Sequence, residues 1–287
     1  MTNKLDFIVF GMPRGGTSAT ARYLSATQHI HCGVEVFPPN IDHSEISVPD
    51  AFIAFEHDRW RSTSKDEVLS RGDEIRFFGN KTPNYYNRLN GILAELDNCP
   101  AISCVRDPFA VARSYNARAA NRKDPWQKGR RGVFAIMDTI SLLRALVHAP
   151  DDANILIAPH QCLLDDWRSA VKRMAEHVAP AVPTAFEKSR VMRINQIKRK
   201  QGRKVKTELQ DFEAELVGDL VDSGFSALFD SKTHLLLSDV KGQIEDILSQ
   251  FEERGLAGVD EAVSLYGEDD VVNYYKRWHN ITQRLDD

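Results

Sequence analysis

Cysteine is scarce in this 287-residue chain: four residues, at Cys32, Cys99, Cys104 and Cys162. They form no C-x-x-C pair and no regular spacing, which argues against a disulfide framework and against a zinc site. A basic surplus is missing too. The 37 Lys and Arg are outnumbered by 41 Asp and Glu, a formal charge of -4, whereas general nucleic-acid binding needs clustered excess cations. No stretch is apolar enough to span a membrane, and the first apolar run is too short for a secretory signal. Internal repeats and low-complexity tracts are absent. Together these absences predict a soluble, cytoplasmic protein that binds no nucleic acid. What is present is ordinary for a globular core: 42% hydrophobic and 27% charged residues, enough chain for one large α/β domain or two small ones.

The apolar runs are short and punctuated. "LDFIVF" (5–10), "IRFFGNK" (75–81), "AISCV" (101–105) and "NILIAP" (154–159) have the length and β-branched content of buried strands. Helical spacing follows each: "TSATARYLSAT", then "TPNYYNRLNGILAEL" with Thr82 as N-cap and Pro83 in first position. Next come "RDPFAVARSYNARAA", capped by Asp107 with Pro108 after it, and "LLDDWRSAVKRMAEHV". Strands alternating with helices predict a P-loop-like, three-layer α/β fold. Its parallel sheet carries helices on both faces, with ligand at the carboxyl ends of the strands. The Pro-rich stretch 32–52 is expected as a loop over that end. From about 187 the pattern is helical, so residues 1–186 are expected as the α/β core of a single domain spanning 1–287. Residues 187–287 then form a helical part, a candidate lid or acceptor region. The basic tract 198–206 within it suits a linker or lid.

The sharpest motif follows the first strand. In "GMPRGGTS" (11–18), Gly11, Gly16 and Ser18 keep the register of a Walker A loop, but Thr17 stands in the lysine position. A glycine turn opening a helix offers amides and the positive helix end to an anion. Gly15 and Gly16 allow close approach, and Thr17 and Ser18 add hydroxyls. Without the lysine that reaches β- and γ-phosphates, and with Arg14 in the turn, the loop suits one phosphate plus a neighbouring anionic group and no obligatory metal. A second constellation is "VRDPFAVARSYNARA": Arg106 at a strand end, then Ser114 and Arg118 one turn apart on one helix face. Two arginines and a hydroxyl form a phosphate pocket by type. His29, His31 and Cys32 hint at metal ligands but lack distant partners. The basic run 118–131 is either a solvated helix exit or a surface for an anionic acceptor.

These two stretches resemble the sulfotransferases that use 3′-phosphoadenosine 5′-phosphosulfate (PAPS), most of all tyrosylprotein sulfotransferases and their bacterial relatives. "PRGGTS", "CGVE", "NKTPN" and "VRDPFAVARSYNAR" occur in the same order as that family's motifs, and the likeness covers residues 5–120. The resemblance implies a sulfotransferase binding PAPS, with adenosine 3′,5′-bisphosphate (PAP) as product and no metal. It assigns Arg14, Gly15, Gly16, Thr17 and Ser18 to the 5′-phosphosulfate, and Arg106, Ser114 and Arg118 to the 3′-phosphate. Glu35, matching the second Glu of "CGEE", becomes the catalytic base, with Arg14 and Lys81 stabilising charge on the transferring group. His43 is the rival base. Three departures stand out: Gly15 replaces a serine, Val34 replaces the first Glu, and His160 takes the place of the tyrosine in "YEDL". The implied acceptor is a hydroxyl of a small molecule, glycan or lipid, which could be anionic, and a homodimer is compatible with this reading. The alternatives are a P-loop kinase with a degenerate loop and a non-catalytic nucleotide-binding protein.

Overall fold

A computed structural model describes residues 4–54, 64–121, 129–192, 194, 207–266 and 271–273. Its centre is a sheet of short strands in the order β2-β3-β1-β4-β5-β6. The strands are β1 (Phe7–Gly11), β2 (Ile30–Val34), β3 (Phe77–Lys81), β4 (Ala101–Val105), β5 (Ile155–Pro159) and β6 (Leu235–Leu236). The first five run parallel, in registers such as Val9↔Lys81, Val9↔Ile102 and Val105↔Pro159. Only β6 is antiparallel, on β5.

The helices are α1 (Thr17–Ser25), α2 (Asp50–Ala54), α3 (Ser64–Arg71), α4 (Leu89–Glu95), α5 (Pro108–Ala119) and α6 (Val133–Val147). They continue as α7 (His160–Asp165), α8 (Trp167–Val178), α9 (Asp211–Leu220), α10 (Ser226–Phe229) and α11 (Leu237–Leu265). Because side chains alternate along a strand, the sheet feeds two cores. Phe7, Val9, Ile102, Cys104 and Leu156 pack with α1 and α8. Ile8, Phe10, Ala101, Val105 and Ile157 pack on the other side with α4, α5, α6 and the C-terminal helices. The mostly parallel sheet with helices on both faces is as expected, as are the helices among the described residues of the last third.

Three local expectations are corrected. The stretch read as a loop from residue 32 begins as β2, which pairs with β3 (Cys32↔Gly79). Its pattern is masked by His31 and Gly33, whose partners are distant: His31 lies edge-on to Phe52, and a Cβ at Gly33 would meet the Phe52 ring at 2.4 Å. Thr82 does not cap a helix with its side chain. A 3-10 turn, Pro83–Arg88, precedes α4, and the Thr82 hydroxyl donates instead to the Phe37 carbonyl (2.8 Å). The helix expected after β5 is split into α7 and α8, with Asp166 accepting from the amides of Arg168 and Ser169 at the second start. The expected cap at Asp107 is present, accepting from Phe109 and Ala110 ahead of α5. The tract 198–206 and residues 122–128 of the basic run lie outside the described residues.

Candidate active site

Strand β1 lies between β3 and β4; the chain leaves it toward β2 on one side and leaves β4 toward β5 on the other. The crevice over the carboxyl ends at such a switch point is where open α/β sheets hold ligands. The residues of both sequence motifs gather there.

The loop between β1 and α1 is shaped by contacts that admit no side chain at two places. At Gly16 φ is 104°, and a Cβ would stand 2.4 Å from Nδ1 of His160. At Gly15 a Cβ would fall 2.8 Å from the Met12 carbonyl, so this loop has no room for the family's serine. Arg14 is left-handed at φ 68°, a conformation that costs a non-glycine residue about 1–3 kcal/mol and persists where neighbours impose it. Arg106 is such a neighbour: its Nη1 donates to the Arg14 carbonyl (3.0 Å). In return Arg14 Nε donates to Ser114 Oγ (2.9 Å). Burial draws the Arg106 pKa below the usual guanidinium value, and Asp107 beside it opposes the shift. Arg118 follows Ser114 by one turn of α5, half-buried. The amides of Gly16, Thr17 and Ser18 have no carbonyl partner among the described residues, and they lie at the positive end of α1.

A second group stands beside the loop, at the ends of β2 and β3. Lys81 Nζ donates to Glu35 Oε1 at 2.6 Å, with the lysine side chain 1% exposed and the glutamate 32%. Glu35 directly follows Val34, the register partner of Lys81, and its N–H donates to the Lys81 carbonyl (2.7 Å). Like Arg14, Glu35 is left-handed, at φ 57°. Burial lowers the Lys81 pKa, and the Glu35 carboxylate restrains the fall. One carboxylate oxygen, Oε1, is thus tied to a buried cation, while the glutamate side chain keeps 32% of its surface exposed.

His43 has a different setting. Its side chain is fully enclosed, with Nδ1 3.2 Å from Glu95 Oε2 and the ring edge-on to Tyr85. Burial, and then Arg88, push its pKa down to about 4. His31 is buried between Phe52 and Phe78. No cluster of three or more metal-ligating side chains occurs among the described residues.

Two buried polar residues escape sequence reasoning. Asn80, fully buried, accepts from Val36 N–H (3.2 Å) and donates to the Phe37 carbonyl (3.1 Å). Asp138 on α6 accepts from Tyr86 (2.9 Å), Tyr115 and Arg130 (2.6 Å). That ties Arg130, one cation of the basic run, to the core. Val36 and Phe37 lie more than forty residues from Asn80, and Tyr86 lies 52 from Asp138, so local spacing does not reveal these pairings.

The fold and site define a class, that of α/β proteins with a glycine-loop anion cradle joined to a second basic segment at the adjacent strand end. The sulfotransferase family model matches residues 6–179, a stretch holding every residue of this site, and the chain belongs to the sulfotransferase family. It is a transferase enzyme. No curated protein matches it. Among solved structures, mouse sulfotransferase SULT7A1 complexed with PAP is similar at 15% identity and TM-score 0.42, covering 71% of this chain and 68% of that one. The sulfotransferase domain of the Synechococcus PCC 7002 olefin synthase is similar at 14% identity and TM-score 0.43, covering 77% and 94%.

Proposed function

We propose that the protein transfers a sulfuryl group from PAPS to a hydroxyl of a small molecule, glycan or lipid, with Glu35 as the base. The observation that carries this reading is the reciprocal link between the two basic segments: Arg106 holds the Arg14 carbonyl while Arg14 holds Ser114. Loop and helix are thereby joined into one cradle, and by this reading each end takes an anion. The residues fit such a donor. The amides of Gly16, Thr17 and Ser18 and the close-packed Gly15 offer one phosphate site, without a lysine for further phosphates. Arg106, Ser114 and Arg118 offer the other.

PAPS, when bound, supplies an activated sulfuryl group and leaves as PAP. The chain contributes position and charge. By this reading Arg14 and Lys81 supply the cations that act on the transferring group, since a preorganised charge stabilises a developing anion more than water does. Glu35 takes the proton of the acceptor hydroxyl at its carboxylate, and Lys81 fixes that carboxylate in place. We assign residues 187–287 to one domain with the core and to the acceptor side; among the described ones, α9 and α11 share the core of the sheet. By this reading the cradle needs no metal, and the protein works in the cytoplasm on an acceptor that can be anionic.

Calorimetry with PAP, in EDTA and again in magnesium, tests the donor assignment. Equal binding in both is expected; magnesium-dependent binding of ATP with none of PAP would sink it. With labelled PAPS, Glu35→Gln should lose at least about a hundredfold in turnover while retaining PAP affinity.

A further inference from the structure

Glu35 occupies a backbone conformation that its own side chain disfavours. From this turn its carboxylate meets Lys81. On one side the hold is plain: β2 is in register with β3 up to Val34↔Lys81, and Glu35 N–H continues onto the Lys81 carbonyl. On the other side the ladder has ended, and residues 36–37 have no strand to pair with.

Asn80 supplies the missing partner. It stands on β3 immediately before Lys81, with a fully buried side chain. A primary amide carries the donor and acceptor of a peptide group, and here both are used as a strand would use them. Oδ1 accepts from Val36 N–H, and Nδ2 donates to the Phe37 carbonyl. Among the described residues Asn80 is the acceptor for Val36, whereas the Phe37 carbonyl also receives Thr82 Oγ1 (2.8 Å) and Tyr85 OH (2.7 Å). Asn80 Nδ2 also contacts Tyr85 OH and Thr82 Oγ1 (3.2 Å), so the cluster is fully interlocked.

We propose that Asn80 is a positioning residue for Glu35: by standing in for a β-strand against residues 36–37 it sets the left-handed turn and aims the carboxylate at Lys81. It touches neither the loop nor Arg106 or Ser114 through any contact described, so donor binding is independent of it. The assignment of Glu35 as the proton acceptor rests on the function proposed above; the aiming of its carboxylate does not.

The test reads the two separately. In full-length protein with 13C-labelled lysine Cε, the titration of Lys81 is followed in wild type, Glu35→Gln, Asn80→Ala, Asn80→Ser and Tyr85→Phe. Removing the carboxylate in Glu35→Gln should lower the Lys81 midpoint by about one unit or more, a tenfold change in its ionisation. Asn80→Ala and Asn80→Ser should each reproduce most of that drop, and Asn80→Ala in the Glu35→Gln background should add nothing. Tyr85→Phe should leave Lys81 unmoved, because the Phe37 carbonyl keeps two donors and Val36 keeps its acceptor. An unmoved Lys81 in whichever Asn80 variant folds, or equal shifts from Tyr85→Phe, overturns the proposal. In parallel, turnover of labelled PAPS should fall roughly 10–100-fold in the Asn80 variants, as a misplaced catalytic group would cause, with PAP affinity within about twofold of wild type. If wild type turns over no PAPS, the functional reading fails while the Lys81 titration still decides the role of Asn80.

Discussion

Lys81 and Glu35 form an asymmetric pair: the cation is buried and the anion half-exposed. Their removal should therefore be asymmetric as well. Glu35→Gln leaves a buried ammonium without its counter-charge and should cost about 1–3 kcal/mol of unfolding free energy, less than a fully buried pair because water reaches the carboxylate. Lys81→Met replaces the stem with a flexible apolar chain and frees a carboxylate that can turn to solvent, so it should cost less. Urea denaturation of the two variants checks the order; equal losses would contradict it. Gly16→Ala should be harsher than either on donor affinity, since its Cβ meets the His160 ring at a φ that alanine disfavours. Calorimetry with PAP should show a loss of about tenfold or more from the loop distortion. At this scale the sequence was informative where one residue type has one use. Arg14, Arg106 and Ser114 stand out in the sequence and are linked by hydrogen bonds, while Asn80 reads as any polar residue at a strand end.

Helix starts separate elements that were legible from those that were not. Asp107 and Asp166 both cap with a carboxylate, accepting amides two and three residues on. Asp107 was readable because Pro108 follows it at a strand end. Asp166 was hidden inside a continuous helical pattern, "LLDDWRSAVKRMAEHV", where two acidic residues look like a solvated face. Each Asp→Ala change should cost about 1 kcal/mol in denaturant melts. Only Asp107→Ala should also weaken PAP binding, because α5 carries Ser114 and Arg118; equal PAP affinity in the two variants would count against that assignment. Strand β2 shows the opposite problem. Its side chains are too weakly patterned to announce a strand, and the ring of Phe52 from α2 fills the space that Gly33 leaves.

The molecule as a whole carries an acid liability. His43 is held neutral by burial and the nearby Arg88, and His234 by burial and the nearby Arg173 and His177. Each pKa falls from 6.5 to about 4. Below pH 6.5 the unfolded chain takes up protons at these sites that the folded chain refuses until about pH 4. Stability is thus complete above 6.5 and declines as pH falls toward 4, by up to about 3 kcal/mol per histidine. Urea midpoints at pH 7 and pH 4.5 should differ accordingly, and His43→Gln should flatten the dependence; an unchanged slope in that variant would refute the contribution of His43.

The alternation of four strands with their helices, the glycine loop and the basic segment after β4 are written in the local sequence. These depend on short-range periodicity and on residues such as glycine, proline and arginine whose physical roles are narrow. Tertiary structure alone decided that Arg14 reaches Ser114 and Arg106 reaches Arg14, across 100 and 92 residues of chain. It also decided that Lys81 is buried against Glu35, that Asn80 completes a strand which the backbone does not supply, and that His43 is enclosed by Glu95 and Tyr85. The reason is common to all of them. A polar side chain's partner in the interior is set by which strand ends the sheet order brings together, and that order leaves no local mark in the sequence.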